Sequence, residues 1–224
     1  MIRYLNRKTG ALTTLEQGMG LMALAMLLAP CMDALAKLLT DTLSPVQIGF
    51  VRFALQTLIL SVFFLRKRRK RIEKSVMGVL VFSGFMIGSA VTFLFWALAY
   101  MPMANTIAIF FVEPLILTLM SAFFLKEKVG WHRYTAVAIG LIGALIVIRP
   151  NWTLFGWLTV LPLAAGIFYA GHITTIRYLS AYVSGLETQV WSGFFATIFL
   201  FIILVVGLFV DVELIAWTQP EPFQ

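Results

Sequence analysis

The chain has 224 residues, of which 61% are hydrophobic and only 12% are charged, and its mean hydropathy is +0.94. A composition this apolar excludes an ordinary soluble globular domain and indicates an integral membrane protein. The net charge of +7 would also suit a nucleic-acid-binding protein, so the position of the basic residues has to decide between the two.

Seven apolar runs of about 20 residues follow one another, and each is long enough to cross roughly 30 Å of hydrocarbon as a helix. They lie at approximately 19–40, 46–65, 76–98, 103–125, 132–149, 156–178 and 187–210. The joints between them are short and contain turn signals such as Ser44-Pro45. The sequence therefore predicts an all-α polytopic membrane protein, with a polar segment 1–18 before the first span and a polar tail 211–224 after the last.

The basic residues are distributed unevenly between the two predicted sides of the membrane. If the N-terminus is cytoplasmic, fourteen of the 17 Lys and Arg residues fall on the cytoplasmic side, including the run RKRRKR at 66–71. This is the bias that sets the orientation of membrane proteins. We therefore expect a cytoplasmic N-terminus, an external tail and contact with lipid, and no nucleic-acid partner.

Two segments of the chain resemble each other weakly but at a constant offset of 140 residues. In 36–53 and 176–194, a basic residue, a serine and a second polar residue recur as Lys37 and Arg177, Ser44 and Ser184, and Gln47 and Glu187. If the repeat holds five spans, the second copy enters the membrane in the opposite sense, because five is odd. The pattern predicts one complete repeat at 19–150 and the first two helices of an inverted second repeat at 151–210.

Three ionisable residues lie within the first two predicted spans. Asp33 and Lys37 are four residues apart, so they share a helix face and can neutralise each other. Arg52 lies about 10 Å along the second span, within reach of the interface or of Asp33. Charged groups inside a bilayer are costly unless paired or functional. A structural role and a role in gating or in binding an anionic substrate group both remain open.

Glu113 and Pro114 lie near the centre of the predicted span 103–125. Pro114 lacks the N–H that would bond the carbonyl of Phe110, so a kink is expected. Backbone groups freed at the midplane must be buried in protein or line a watery cavity. We interpret the pair as lining a cavity; the alternative is a kink whose Glu is paired or protonated.

Aromatic and polar side chains share a face of the sixth span, where His172 follows Tyr169, and Trp96 lies in the third span. Such faces suit a planar or amphipathic organic ligand, although aromatic residues in spans also serve packing. Small residues recur every four positions in three spans, which favours close helix packing. These residues are Gly84 and Gly88; Ala136, Gly140 and Ala144; and Gly166 and Ala170.

Motifs of enzymes and metal sites are absent from the sequence. It contains no HExxH, CxxC, G-x-S-x-G or P-loop pattern, and its two histidines are forty residues apart. We therefore expect no enzyme activity, cofactor or metal, and an intramembrane enzyme is left as an unsupported alternative.

The stretch 104–150 resembles the end of an EamA-type repeat of the drug/metabolite transporter superfamily. The resemblance is carried by Glu113-Pro114, by LKEKV at 125–129 and by GLIGALIVI at 140–148. In the same superfamily, DALAKLL at 33–39 and SPVQIGFVRF at 44–53 resemble the subgroup of riboflavin and S-adenosylmethionine carriers.

This resemblance implies a bacterial inner-membrane carrier of a small organic metabolite that works by alternating access. It also implies ten spans in two inverted repeats, whereas seven are predicted here. We expect a truncated product, a second copy or partner that completes the bundle, or a fragment or scaffold that does not transport. The residues expected at the pocket or gate are Glu113, Pro114, Asp33, Lys37, Arg52, Trp96, Tyr169 and His172.

Overall fold

The computed structural model describes residues 14–40, 42–65, 72–124, 130–148 and 156–209. These residues form helices and short turns, and no strand occurs among them, which confirms the all-α fold. In chain order the helices are α1 (Thr14–Leu39), α2 (Pro45–Leu65), α3 (Lys74–Tyr100), α4 (Met103–Phe110), α5 (Glu113–Phe124), α6 (Trp131–Ile148), α7 (Val160–Leu179) and α8 (Gly185–Phe209). One 3₁₀ turn, Gly156–Thr159, leads into α7.

Within the described ranges, five segments are long and apolar enough to cross a membrane. They are Pro45–Val62, Lys74–Tyr100, Met103–Phe124, Gly156–Leu179 and Gly185–Gly207. They coincide with five of the seven predicted spans. The other two, 19–40 and 132–149, fall on α1 and α6, which are helical but do not belong to these five, so their crossing stays a prediction.

The chain divides into two compact units, residues 1–39 and 40–224. The described part of the first unit is the single helix α1, whose apolar side chains, such as Leu27 and Leu35, are largely exposed. The second unit contains α2 to α8 and the core of the bundle, where Leu80, Phe95 and Leu200 are among the fully buried side chains.

Close approach of helices in the second unit depends on glycine. A Cβ atom added to Gly84 of α3 would lie 2.6 Å from Cβ of Phe195 and 2.8 Å from the Ser192 carbonyl oxygen, both in α8. Gly88 also contacts α8, so the packing role predicted for this pair is confirmed. Gly140 of α6 differs, because a Cβ atom there would meet no described atom within 4 Å.

The contacts between helices also give their relative directions. Along α2 and α8 the pairs Phe50–Phe201 and Gln56–Gln189 show that the two helices run antiparallel. In contrast, α5 and α7 run parallel, since Glu113 contacts Gly166 and Ser121 contacts Arg177. These directions agree with spans that alternate in orientation along the chain.

The first turns of α2 and α8 have the same local structure. The backbone N–H of Ser44 donates to Oε1 of Gln47 at 3.0 Å, and the N–H of Gln47 donates to Oγ of Ser44 at 3.3 Å. Ser184 and Glu187 form the same reciprocal pair, at 2.8 and 3.4 Å. Each is a capping box, which satisfies N–H groups that a helix start leaves unbonded. Both lie at the predicted offset of 140 residues.

Several features noted in the sequence lie outside the described residues. These are the N-terminal residues 1–13, the basic run 66–71, the LKEKV segment 125–129 and the tail 211–224. The predictions made for them stay predictions.

Candidate functional site

The fourth span is interrupted at its centre. Helix α4 ends at Phe110, Phe111 and Val112 form a turn, and α5 begins at Glu113. The Val112 carbonyl accepts the N–H groups of Leu115 and Ile116 at 3.1 and 3.2 Å, so it starts the new helix. Pro114 occupies the first turn of α5, where a missing N–H is tolerated. The kink expected at this pair is therefore seen as a two-residue interruption of the helix.

The backbone at the break packs directly on α7. A Cβ atom added to Gly166 would lie 3.5 Å from the Phe110 carbonyl oxygen and 3.6 Å from Cβ of Glu113. The Phe110 carbonyl is the one that Pro114 deprives of its usual donor, and the bare face of Gly166 lets α7 cover it. The Glu113 side chain is half-buried. The predicted packing role of Gly166 is confirmed.

Tyr169 and His172 lie next to the break on α7. The Tyr169 ring centroid is 5.7 Å from that of Phe110 and 6.4 Å from that of His172. The structure thus brings together three of the predicted site residues, Glu113, Tyr169 and His172, along the contact of α7 with α4 and α5.

His172 belongs to a buried polar network that joins three helices. Its Nδ1 atom lies 2.9 Å from Oγ and 3.1 Å from the carbonyl oxygen of Ser83 in α3. The Ser192 hydroxyl of α8 donates to Oγ of Ser83 at 3.1 Å. All three residues are buried, with exposed fractions of 4%, 0% and 2%. The alternative of a hydrogen-bonded packing histidine has direct support here, while a ligand role for His172 stays a prediction.

Trp96 lies in α3 and Arg52 in α2, and both contact aromatic rings. The Trp96 ring is 6.2 Å from Phe93, which stacks on Phe168 of α7 at 5.6 Å. The Arg52 guanidinium lies over the ring of Phe95, 5.8 Å from its centroid, as a cation–π contact. Trp96 therefore reaches α7 through other aromatic rings, and Arg52 packs on a buried ring of α3.

Asp33 and Lys37 lie on α1, in the first unit. Their spacing places them on one face of this helix, and both side chains are half-buried. Their part in a pocket or gate stays a prediction.

Residues that the sequence did not indicate as site residues connect α5 to α7 and α3 to α8. Arg177, noted in the sequence as the counterpart of Lys37, donates from Nη1 to Oγ of Ser121 at 3.0 Å. Ser83 and Ser192 belong to the network of His172. The sequence feature that could have indicated Ser83, Ser121 and Ser192 is a serine inside an apolar run. Such serines commonly bond their own backbone, so this feature predicts a contact between helices only weakly.

An apolar cavity of about 450 Å³ lies between α3, α5 and α7. Its wall includes Met86, Met120, Phe168, Thr174 and Thr175, and none of the eight predicted site residues lines it. The hydroxyls of Thr174 and Thr175 donate to carbonyl groups one turn earlier in α7, both at 2.8 Å. These threonines therefore contribute no unbonded donor to the cavity wall.

Fold and site define a multi-pass helical membrane protein in which one span is broken at an intramembrane carboxylate. Residues 16–149, more than half of the chain, match the EamA-like transporter family. The chain belongs to this family, which confirms the resemblance found in its sequence.

Curated relatives carry transporter names. The chain is 31% identical over 173 residues to the pseudopaline exporter CntI of Pseudomonas aeruginosa, covering 76% of this chain and 60% of the relative. It is 38% identical over 90 residues to a riboflavin transporter of Vibrio cholerae, covering 40% and 30%. It is 25% identical over 141 residues to an S-adenosylmethionine uptake transporter of Rickettsia bellii, covering 63% and 48%.

These relatives are named as transporters and not as enzymes, which supports the expectation of a transporter at the level of the family. The chain spans between about a third and three fifths of their lengths. No solved structure matches the chain significantly. The second copy or completing partner expected from the sequence stays a prediction.

Proposed function

We propose that the chain carries a small organic metabolite across the bacterial inner membrane by alternating access, with its N-terminus in the cytoplasm. The broken fourth span is the observation that carries the proposal. An ionisable group at the midplane and an interrupted helix both mark substrate paths in carriers. Here Glu113 combines the two features in one place, beside the aromatic rings of Phe110 and Tyr169.

In this proposal Glu113 receives a cationic or hydrogen-bond-donating group of the substrate, and Tyr169 and Trp96 supply flat apolar surfaces. Pro114 keeps the break in place. Asp33, Lys37 and Arg52 act at the pocket or gate. The matched capping boxes and the antiparallel packing of α2 on α8 support a five-span repeat followed by an inverted copy.

The direction of transport has to be measured, because the relatives include an exporter as well as uptake transporters. The test is tracer flux of riboflavin, S-adenosylmethionine and amino acids, in both directions, in bacterial cells with and without the chain. We expect flux of at least one of these compounds to depend on the chain. Absence of any chain-dependent flux, with the protein present in the membrane, would contradict the proposal and favour a scaffold or a non-transporting fragment.

Glu113→Gln is the variant that tests the site. Loss of a charged hydrogen-bonding partner costs about 1.5–3 kcal/mol, so we expect flux to fall at least about tenfold at low substrate concentration. The matched control is Glu187→Gln, because Gln47 already performs the same capping role in α2. We expect this control to transport like the parent chain. If Glu113→Gln also transports normally, Glu113 is not part of the site.

A further inference from the structure

The apolar cavity between α3, α5 and α7 has no part in the proposed function, because none of the predicted site residues lines it. The described residues of its wall include no charged side chain. The hydroxyls of Thr174 and Thr175 bond carbonyl groups of their own helix. Cavities that offer no polar partners stay dry, so water is not the expected occupant. The cavity therefore suits an apolar group.

The directions of the helices place the cavity near one face of the membrane. The pairs Ser83–His172 and Phe93–Phe168 show that α3 and α7 run antiparallel. Since α5 runs parallel to α7, α3 begins at the face where α5 and α7 end. Phe124, which lines the cavity, is the last residue of α5. The wall thus starts at the ends of the spans.

The depth of the cavity matches one leaflet of the bilayer. Along α7 its wall extends from Tyr178, one residue before the end of the helix, to Ile167, which is eleven residues deeper. Eleven residues correspond to about 16 Å of helix. This is about half of the roughly 30 Å thickness of the hydrocarbon core. An acyl chain of the adjacent leaflet occupies the same range of depth.

The cavity opens sideways, toward the surroundings of the bundle. Phe82, Phe124, Ile167 and Tyr178 belong to its wall and are 51%, 64%, 47% and 47% exposed. All four lie in segments that are long and apolar enough to cross a membrane, so their exposed surfaces face lipid. An empty cavity leaves its lining without van der Waals partners on one side. The apolar groups that can reach this opening are lipid chains.

The two ends of the cavity differ in a way that suits a lipid. At the inner end, a Cβ atom added to Gly171 would lie 3.1 Å from Sδ of Met86 and 3.8 Å from Cε of Met120. Methionine side chains are flexible and adapt to irregular apolar partners. At the other end, the ring centroids of Tyr178 and Tyr182 are 5.3 Å apart. Tyrosines are enriched at the level of the lipid head groups.

We propose that this cavity binds one alkyl chain of a membrane phospholipid, taken from the leaflet at the face where α5 and α7 end. The phospholipid head group lies beside Tyr178 and Tyr182, and the chain end reaches Met86 and Met120. The bound chain completes the packing between α3, α5 and α7. This role does not depend on transport.

The test is photolabelling of the full chain by phosphatidylglycerol that carries a diazirine at the end of one alkyl chain. The lipid is added in trace amounts to protein in a steroid-based detergent, which has no alkyl chain to compete. Ile198 of α8 is the reference, because it is exposed and lies about as deep in its helix as Met86 in α3. We expect Met86 and Met120 to be labelled at least about tenfold more than Ile198, a preference that corresponds to about 1.4 kcal/mol.

Gly171→Leu fills the cavity, because the added side chain projects toward Met86 and Met120. We expect it to lower the labelling of both methionines roughly tenfold. Gly140→Leu is the matched control, since a Cβ atom there would meet no described atom within 4 Å, and it should leave labelling unchanged. Ile167→Trp enlarges an exposed side chain of the wall and should act in the same direction as Gly171→Leu, without a change inside the bundle.

Equal labelling of Met120 and Ile198 in the parent chain would overturn the proposal. So would labelling that neither Gly171→Leu nor Ile167→Trp reduces. Displacement of the photoreactive lipid by riboflavin, S-adenosylmethionine or an amino acid would assign the cavity to a metabolite instead. Selective labelling in a chain without measurable flux would uphold the lipid site and contradict the carrier; flux without selective labelling would do the reverse.

Discussion

At the scale of single residues, the sequence identifies which polar groups are unusual but not what they contact. His172 is recognisable as an ionisable residue in an apolar run, yet its partner Ser83 is 89 residues away in the chain. Arg177 and Ser121 are 56 residues apart. Such pairs depend on which helices become neighbours, and this is decided by packing of the whole bundle. Hence Glu113 and Tyr169 were predicted as site residues, whereas Ser83, Ser121 and Ser192 were not.

The buried network yields a prediction about stability. Ser83→Ala removes the group that bonds both His172 and Ser192, so it should lower the free energy of unfolding. Interhelical hydrogen bonds in membrane proteins are worth about 0.6 kcal/mol on average and up to about 1.7. A double-mutant cycle of Ser83→Ala with His172→Leu, measured by denaturant unfolding in lipid–detergent mixtures, should give a coupling energy in this range.

The control for this prediction is Ser61→Ala. The Ser61 hydroxyl donates to the Leu58 carbonyl of its own helix at 2.7 Å and joins no second helix by that bond. If Ser83→Ala destabilises the protein no more than Ser61→Ala, the network contributes nothing measurable to stability.

At the scale of helices, the positions of the five apolar spans were predicted to within a few residues, because hydrophobic length is a local property of the sequence. The contacts of small residues were predicted less well. The patterns at Gly84 and Gly166 lie where helices meet, whereas a Cβ atom on Gly140 would meet no atom of the described residues within 4 Å. A stripe of small residues shows that another helix can approach closely, but only the fold shows which helix packs there.

Gly84 and Gly140 form a matched pair for a test of this difference. Gly84→Ala would place a methyl group against Phe195 and the Ser192 carbonyl, so α3 and α8 have to separate. Overpacking of this kind costs about 1–3 kcal/mol. Gly140→Ala should be neutral or raise stability by up to about 1 kcal/mol, because alanine favours the helix.

Both variants can be compared by thermal unfolding of the purified protein. Equal losses of stability in the two variants would show that the close contact of α3 with α8 does not exist in the membrane.

At the scale of the whole molecule, the offset of 140 residues predicted corresponding helix starts, and the structure has the same capping box at each of them. The sequence could not give the packing of α2 against α8, since weak internal similarity carries no information on contacts. The antiparallel direction of these helices follows from Phe50–Phe201 and Gln56–Gln189. The positions of five spans and the two corresponding helix starts were thus accessible from sequence, and the packing of the helices against one another was not.

Cross-linking in membranes tests this arrangement. In a Cys31→Ser background, the pair Gln56→Cys and Gln189→Cys should be joined efficiently by a short bifunctional maleimide, because the two glutamine side chains are 3.3 Å apart. The control pair is Gln56→Cys with Val206→Cys, about 25 Å further along α8. Preferential cross-linking of the control pair would mean that α2 and α8 run parallel.

The hydroxyl groups of Thr174 and Thr175 allow the wall of the apolar cavity to change its polarity. In helices the threonine side chain is divided between two χ1 rotamers, because its hydroxyl can bond a backbone carbonyl group three or four residues earlier. Rotation of Thr174 or Thr175 about χ1 exchanges one intrahelical bond for a donor directed elsewhere, with no movement of α7. The cavity wall can therefore present an apolar surface to an alkyl group and a hydrogen-bond donor to a ligand that carries an acceptor.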